Sequence, residues 1–121
     1  WELNIAGIDT PWVAGDWIYV ITDDAKLLCI ARSNGHIRWI NQLPEFLKAK
    51  SKRGDIEYNG PVLAGGRLIV TGSTGVLVNI DPTNGSFQNQ TNVGASVSLP
   101  PVVANSTLYI LDDRGQLHAY R

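Results

Sequence analysis

One unit occurs three times in this chain of 121 residues. Laid out from Pro11, Pro61 and Pro101, the stretches PWVAGDWIYVITDDAKLLCI, PVLAGGRLIVTGSTGVLVNI and PVVANSTLYILDDRGQLHAY superimpose without a gap, at offsets of 50 and then 40 residues. A period near 40 made of short apolar runs and turn residues marks a β-propeller blade. Propellers typically carry about four to eight blades, so the reading is an all-β chain forming part of a propeller.

The second copy shows how one blade is written. Pro61 to Ala64 reads as a short strand, with proline tolerated at its start. Gly65-Gly66 is a two-residue hairpin turn, since glycine accepts the positive φ such turns require. Arg67 to Thr71 is the second strand, Gly72 to Gly75 a turn and Val76 to Asp81 the third strand. Pro82-Thr83-Asn84-Gly85 is a turn by composition, and Ser86 to Gln90 the fourth strand. In the first copy the turns fall at Gly15-Asp16, Asp23 to Lys26 and Asn34-Gly35, with His36 to Ile40 as the fourth strand. Ala25 stands where the other copies have Gly75 and Gly115, which predicts a slightly different turn shape. In the third copy the turns fall at Asn105-Ser106 and Arg114-Gly115. The unit is a four-stranded antiparallel meander.

The middle strands, such as Ile18-Tyr19-Val20-Ile21 and Leu108-Tyr109-Ile110-Leu111, do not alternate in polarity. A sheet with one wet face would alternate, so both faces are expected to be covered, as in stacked blades. Ala14, Ala64 and Ala104 recur at one position, which fits close approach of neighbouring sheets.

Two features depart from the repeat. Residues 42–59 form a longer connection in which Pro44 to Ala49 reads as a short helix with proline in its first turn, followed by a basic cluster. At the ends, Trp1 to Ile5 resembles the fourth strand of a preceding blade, with Trp1 corresponding to Trp39, and the third unit stops after its third strand. The resulting division is an outer strand over 1–9, a blade over 10–41, the excursion over 42–59, a blade over 60–92, and over 93–121 a blade lacking its outermost strand. Open edges of this kind predict self-association of the piece.

Composition narrows the function classes. The net charge of −1 gives no electrostatic footprint for nucleic acid. No run approaches the ~18 apolar residues of a membrane span, and Trp1 opens without a targeting pattern, so any leader or anchor is expected upstream. Cys29, the single cysteine, allows neither an intrachain disulfide nor a cysteine cluster for metal.

The unit resembles the repeat of the quinoprotein (PQQ-type) propeller superfamily. The resemblance is carried by Pro61-Val62-Leu63-Ala64, by Gly75-Val76-Leu77-Val78-Asn79-Ile80-Asp81, by Thr83-Asn84-Gly85, and by Asn34-Gly35 with Trp39. Further features are similar to the carboxy-terminal part of the BamB family. These are Trp1 before the first blade, the hairpin Gly15-Asp16-Trp17-Ile18-Tyr19-Val20, the excursion between Trp39 and Pro61, and the final Gly115-Gln116-Leu117 strand ending at Tyr120. That resemblance implies about three blades of an eight-bladed propeller, from a lipoprotein on the periplasmic face of the outer membrane whose lipid-bearing cysteine lies upstream. It implies a soluble, non-catalytic scaffold of the outer-membrane β-barrel assembly machinery, with the POTRA domains of the barrel-inserting subunit and unfolded outer-membrane proteins as partners. The main partner loops are expected on earlier blades. The alternatives are a fragment of a PQQ-dependent dehydrogenase and a ligand-sensing PQQ-repeat propeller.

No catalytic, cofactor or metal residues are assigned. A quinone site would combine calcium-binding oxygens, a stacking aromatic and an aspartate base, and no such set is recognisable. Asp23-Asp24 and Asp112-Asp113 fall at turns, where aspartate favours local backbone hydrogen bonds. His36 and His118 read as strand histidines, Cys29 as a buried small residue, and Trp12 as packing or lining of the central channel. The candidate partner contacts are Trp17, at a strand start beside a turn, and Phe46, Lys48, Lys50, Lys52 and Arg53 on the excursion.

Overall fold

The structure, a computed structural model, describes residues 1–3, 11–43 and 57–120. Three antiparallel sheets follow one another in chain order. The first contains β1 (Trp12–Ala14), β2 (Trp17–Ile21), β3 (Lys26–Ala31) and β4 (Ile37–Gln42). The second contains β5 (Tyr58–Ala64), β6 (Arg67–Gly72), β7 (Val76–Ile80) and β8 (Phe87–Asn92), and the third β9 (Val102–Ala104), β10 (Thr107–Leu111) and β11 (Leu117–Tyr120). Within each sheet the spatial order is the sequence order, so each is a meander. The expected helix at Pro44 to Ala49 and the basic cluster lie outside the described residues.

The sheets stack through their faces, with β5 lying against β1 and β2 on one side and β9 on the other. Pro11, Pro61 and Pro101, the three repeat-opening prolines, line one cavity of about 240 Å³ together with Trp12 and Val62. The three repeat-opening prolines therefore meet around a common space, and Trp12 beside it also packs against both cores. Between the first two sheets the core holds Tyr19, Leu27, Cys29, Leu68, Val70 and Ile80. Between the second and third it holds Ile69, Leu77, Val97, Leu108 and Ile110. Each fully buried aliphatic side chain contributes roughly 1.5–3 kcal/mol, which is why the middle strands are apolar on both sides. Ala14 and Ala64 pack against the cores beside the next sheet, while Ala104 is exposed.

Expected strand limits are corrected: β5 begins at Tyr58, not Pro61. The fourth strands begin at Ile37 and Phe87, not His36 and Ser86, and run on to Gln42 and Asn92. The loops before them are wider than a two-residue hairpin. They are closed by Ala31 N–H to His36 O at 2.8 Å and Asp81 N–H to Ser86 O at 2.9 Å, with Gly35 and Gly85 N–H donating back to Ala31 and Asp81. Asn34 and Asn84 fix the exit, each accepting at 2.9 Å from the N–H two residues on.

The turn at Ala25 differs slightly in shape from its counterparts, with φ +61° against +91° at Gly75 and +86° at Gly115, but keeps their closing hydrogen bond. The N–H of Ala25 donates to Thr22 O at 3.0 Å, as Gly75 does to Gly72 at 2.9 Å and Gly115 to Asp112 at 3.1 Å. Ala25 therefore adopts φ +61°, a region that disfavours a Cβ. The next segment holds it there: Leu43 N–H donates to Ala25 O at 2.8 Å, just as Val93 donates to Gly75 at 2.7 Å.

Candidate functional site

Because the repeat is in register, one position can be followed from sheet to sheet. On the first sheet Tyr19 pairs with Cys29 and Cys29 with Trp39. These side chains share one face with Trp17, two residues before Tyr19, since neighbours across strands and alternate residues along them point the same way. On the second sheet Ile69 pairs with Asn79 and Asn79 with Asn89. With an offset of 50, Trp17, Tyr19, Cys29 and Trp39 become Arg67, Ile69, Asn79 and Asn89. The two seams between sheets differ at all four positions.

At the first seam Trp39 lies across the third turn of the second sheet. Its Nε1–H donates to Pro82 O at 2.9 Å, and its ring covers Gly85 so closely that a Cβ there would collide with it. The side chain of Asn41 donates to Gly85 O. Trp1 repeats the contact one blade earlier, with Nε1–H to Arg32 O at 2.7 Å and its ring over Gly35, where a Cβ would meet Cε3 at 2.6 Å. The equivalence of Trp1 and Trp39 is thus a docking contact as well as a sequence match. Tyr19 and Trp39 rings stand 6.2 Å apart at 38°.

Trp17, one of the expected contact residues, is half-buried at the start of β2 and packs against the first core. A register shift in β4 lies beside Arg38, whose guanidinium carbon sits 4.2 Å from the centre of the Trp17 ring, within cation–π range. The other candidates, Phe46, Lys48, Lys50, Lys52 and Arg53, lie outside the described residues. Cys29 is fully buried and free, and burial pushes its thiol pKa up, so it is a packing residue with little thiolate character.

The second seam is packed around Ile69, Leu77, Leu108 and Ile110 and open beside them. A cavity of about 540 Å³ lies between Arg67, Ile69, Asn79 and Asn89 on the second sheet and Val103, Leu108 and Tyr120 on the third. Asn79 is 7% exposed, and its side-chain N–H donates to Asn89 Oδ1. No carboxylate lines the space.

Beside this seam is a pair that the sequence reading did not join. His118 Nε2 lies 2.8 Å from Asp112 Oδ2. The other oxygen, Oδ1, accepts from Arg114 N–H at 2.9 Å and Gln116 N–H at 3.0 Å. His118 first, then these backbone N–H groups, hold the Asp112 carboxyl below its usual range. Thr22 is the counterpart of Asp112 in the first copy, and its hydroxyl accepts from Lys26 N–H at 3.1 Å; only aspartate adds a second oxygen for the histidine. The signal was available in the replacement of Leu28 and Val78 by His118, six residues after an aspartate across a tight turn. Among the described residues no three His, Cys, Asp or Glu side chains converge on a point where a metal could be held.

The far face of the third sheet exposes Val102, Leu111 and Leu117, and β11 is its edge strand among the described residues.

Comparison with known proteins gives this geometry its context. The family profile described as outer membrane protein assembly factor BamB matches residues 1–41. A curated relative, outer membrane protein assembly factor BamB of Alkalilimnicola ehrlichii, is 27% identical over 122 residues, covering 100% of this chain and 30% of its own length. Among solved structures, BamB from Moraxella catarrhalis aligns with a TM-score of 0.75 at 17% identity, over 92% of this chain and 31% of that one. Quinohemoprotein alcohol dehydrogenase from Comamonas testosteroni aligns at 0.68 and 22%, over 88% and 17%. The chain spans about 30% of the length of the curated relative it matches. The chain is thus similar to BamB assembly factors, and its three sheets form part of a β-propeller.

Proposed function

We propose that this chain is part of a non-catalytic scaffold that serves outer-membrane β-barrel assembly at the periplasmic face of that membrane. Its partners would be the POTRA domains of a barrel-inserting subunit and unfolded outer-membrane proteins. The observation that carries the reading is the end-to-end match to a BamB assembly factor. The likeness to the dehydrogenase concerns fold alone, and fold does not assign activity.

The mechanism follows from the architecture. Meandering sheets locked by tight turns give a rigid body, so little ordering entropy is lost on binding. Exposed loops and strand edges offer backbone groups and apolar contacts to an extended segment, the mode of strand addition. Trp17 and the excursion bearing Phe46, Lys48, Lys50, Lys52 and Arg53 are the proposed side-chain contacts.

The test is capture of the barrel-inserting subunit from solubilised outer membranes by the longer protein that contains this chain. Specific capture is the expected result. Failure to capture it, or tight binding of pyrroloquinoline quinone with calcium accompanied by dye-linked alcohol oxidation, would overturn the reading in favour of a quinoprotein dehydrogenase or a propeller with another partner.

A further inference from the structure

An asparagine followed by glycine is chemically reactive in an unstructured chain. The backbone nitrogen of the glycine, unhindered by a side chain, attacks the asparagine Cγ and displaces the amide as ammonia. The third turn of the second sheet holds such a pair, with Asn84 exposed and Gly85 buried. Half of the reacting arrangement is in place there. Asn84 Oδ1 accepts from Ser86 N–H at 2.9 Å, which polarises Cγ toward attack.

The other half is withheld. The Gly85 nitrogen donates its hydrogen to Asp81 O at 2.8 Å, so the nucleophile is engaged in a backbone bond. The loop is also pinned from the neighbouring sheet. The Trp39 ring rests on Gly85, its Nε1–H donates to Pro82 O at 2.9 Å, and the Asn41 side chain donates to Gly85 O. Closing an imide requires the peptide between Asn84 and Gly85 to turn toward Cγ. The bond to Asp81 must break for that, and the Trp39 ring stands against the movement of Gly85. The reaction therefore runs from the opened loop, at the rate of a free peptide scaled by the population of that opening.

We propose that Asn84 is a self-modification site that the docked first seam holds closed, and that undocking of Trp39 starts the reaction. With the loop open, the Gly85 nitrogen loses its proton to solvent and bonds to Asn84 Cγ. The Cγ–Nδ2 bond breaks, and Nδ2 takes up a proton and leaves as ammonia. Water then opens the imide at either carbonyl, giving aspartate or isoaspartate at position 84. Either product adds a negative charge to a loop that already holds the Asp81 carboxylate, which accepts from Thr83 N–H at 2.8 Å. Isoaspartate also adds a backbone carbon to the loop on which Trp39 docks. A brief opening of the seam thus becomes a lasting covalent change. The proposal does not depend on the assembly reading.

The test incubates the longer protein that contains this chain in mildly alkaline buffer and follows Asn84 by peptide mapping with mass spectrometry. A synthetic peptide covering residues 81–87 is the unstructured reference. Conversion at Asn84 is expected to be at least ~100-fold slower in the protein than in the peptide, about 2.7 kcal/mol. Trp39→Ala should speed it at least ~10-fold, about 1.4 kcal/mol. Asn34, which precedes Gly35 under the Trp1 ring, should keep its rate in that variant. Asn41→Ala should give a smaller acceleration at Asn84 alone. Equal rates in protein and peptide would overturn the proposal, as would an unchanged rate at Asn84 in both variants. In a folded Trp39→Ala, equal acceleration of Asn34 and Asn84 would also overturn it, because the opening would then not be that of this seam. Should circular dichroism show that Trp39→Ala fails to fold, Asn41→Ala decides alone.

Discussion

At the seam between the first and second sheets, Trp17, Tyr19, Cys29 and Trp39 fill the space and Trp39 ties the sheets together through Pro82 and Gly85. At the seam between the second and third, the same four positions read Arg67, Ile69, Asn79 and Asn89, and a cavity of about 540 Å³ remains. Away from their innermost strands, where β5 is longer than β1 and shifts register against β6 between Asn59 and Val62, the two sheets are alike. Both four-stranded sheets shift register at the same place, after Cys29 and after Asn79, and their third turns share one hydrogen-bond pattern. A blade is thus specified by its turns and ladders, and a seam by a few side chains on one face. The two can change independently, which lets a repetitive fold carry a non-repetitive surface.

The largest test of this contrast removes the tie. Trp39→Ala loses the ring packing and the hydrogen bond to Pro82, and should lower stability by about 3 kcal/mol. Asn89→Ala at the equivalent position should cost about 1 kcal/mol, since its lost partner borders a cavity that water can enter. Urea unfolding midpoints at matched slopes measure both. Equal losses would mean that the seams are energetically alike despite their different fillings.

A smaller effect separates the seams by pH. Asp112 has a lowered pKa in the fold. The stability it contributes is therefore present above its unfolded value, near 3.9, and is lost as pH falls through the folded value. His118→Leu places at this position the residue found at Leu28. It removes the first cause of the shift, so acid unfolding of the third sheet should begin at higher pH. Tyrosine near-ultraviolet circular dichroism, followed between about pH 6 and 2, reads this. An unchanged acid transition would show that backbone N–H groups alone hold the carboxylate.

Much of this architecture was legible in the sequence, and the reason is local. Turn positions are written in residues that accept particular backbone angles: Gly65 and Gly66 sit at φ +58° and +74°, and Gly35 and Gly85 at +77° and +76°. Strand existence followed from apolar runs bounded by those turns. The fourth-strand limits were missed because they depend on how the preceding loop closes, through backbone bonds at Ala31 and Asp81 that no side chain announces. The seams were less legible still. Trp1 and Trp39 could be matched as letters, but that each rests on a glycine of the next unit is a relation between residues 34 and 46 positions apart. Asn79 and Asn89 carry no local signal of their own; the register places them side by side on the face toward the third sheet. Asp112 and His118 were each given a separate account, because a side-chain pair across a turn needs the turn's geometry to be known.

The smallest expected effect tests whether blade and seam are separable at a single residue. Ala25 holds φ +61° and is buried against the first seam. Ala25→Gly relieves a left-handed alanine, a gain of about 1–2 kcal/mol. It also gives up a buried methyl, about 0.8 kcal/mol, and loosens the unfolded chain by about 0.4–1 kcal/mol. The three nearly cancel, so a change within about 0.5 kcal/mol is expected. At Gly75 the exchange cannot run in reverse, because a Cβ there would collide with the carbonyl oxygen of Ala95, whose segment crosses the turn and bonds through Val97 N–H to Ser73 O at 3.3 Å. A loss well beyond 0.5 kcal/mol in Ala25→Gly would show that the methyl matters more to the first seam than the strain matters to the turn, and that the two levels are coupled at this residue.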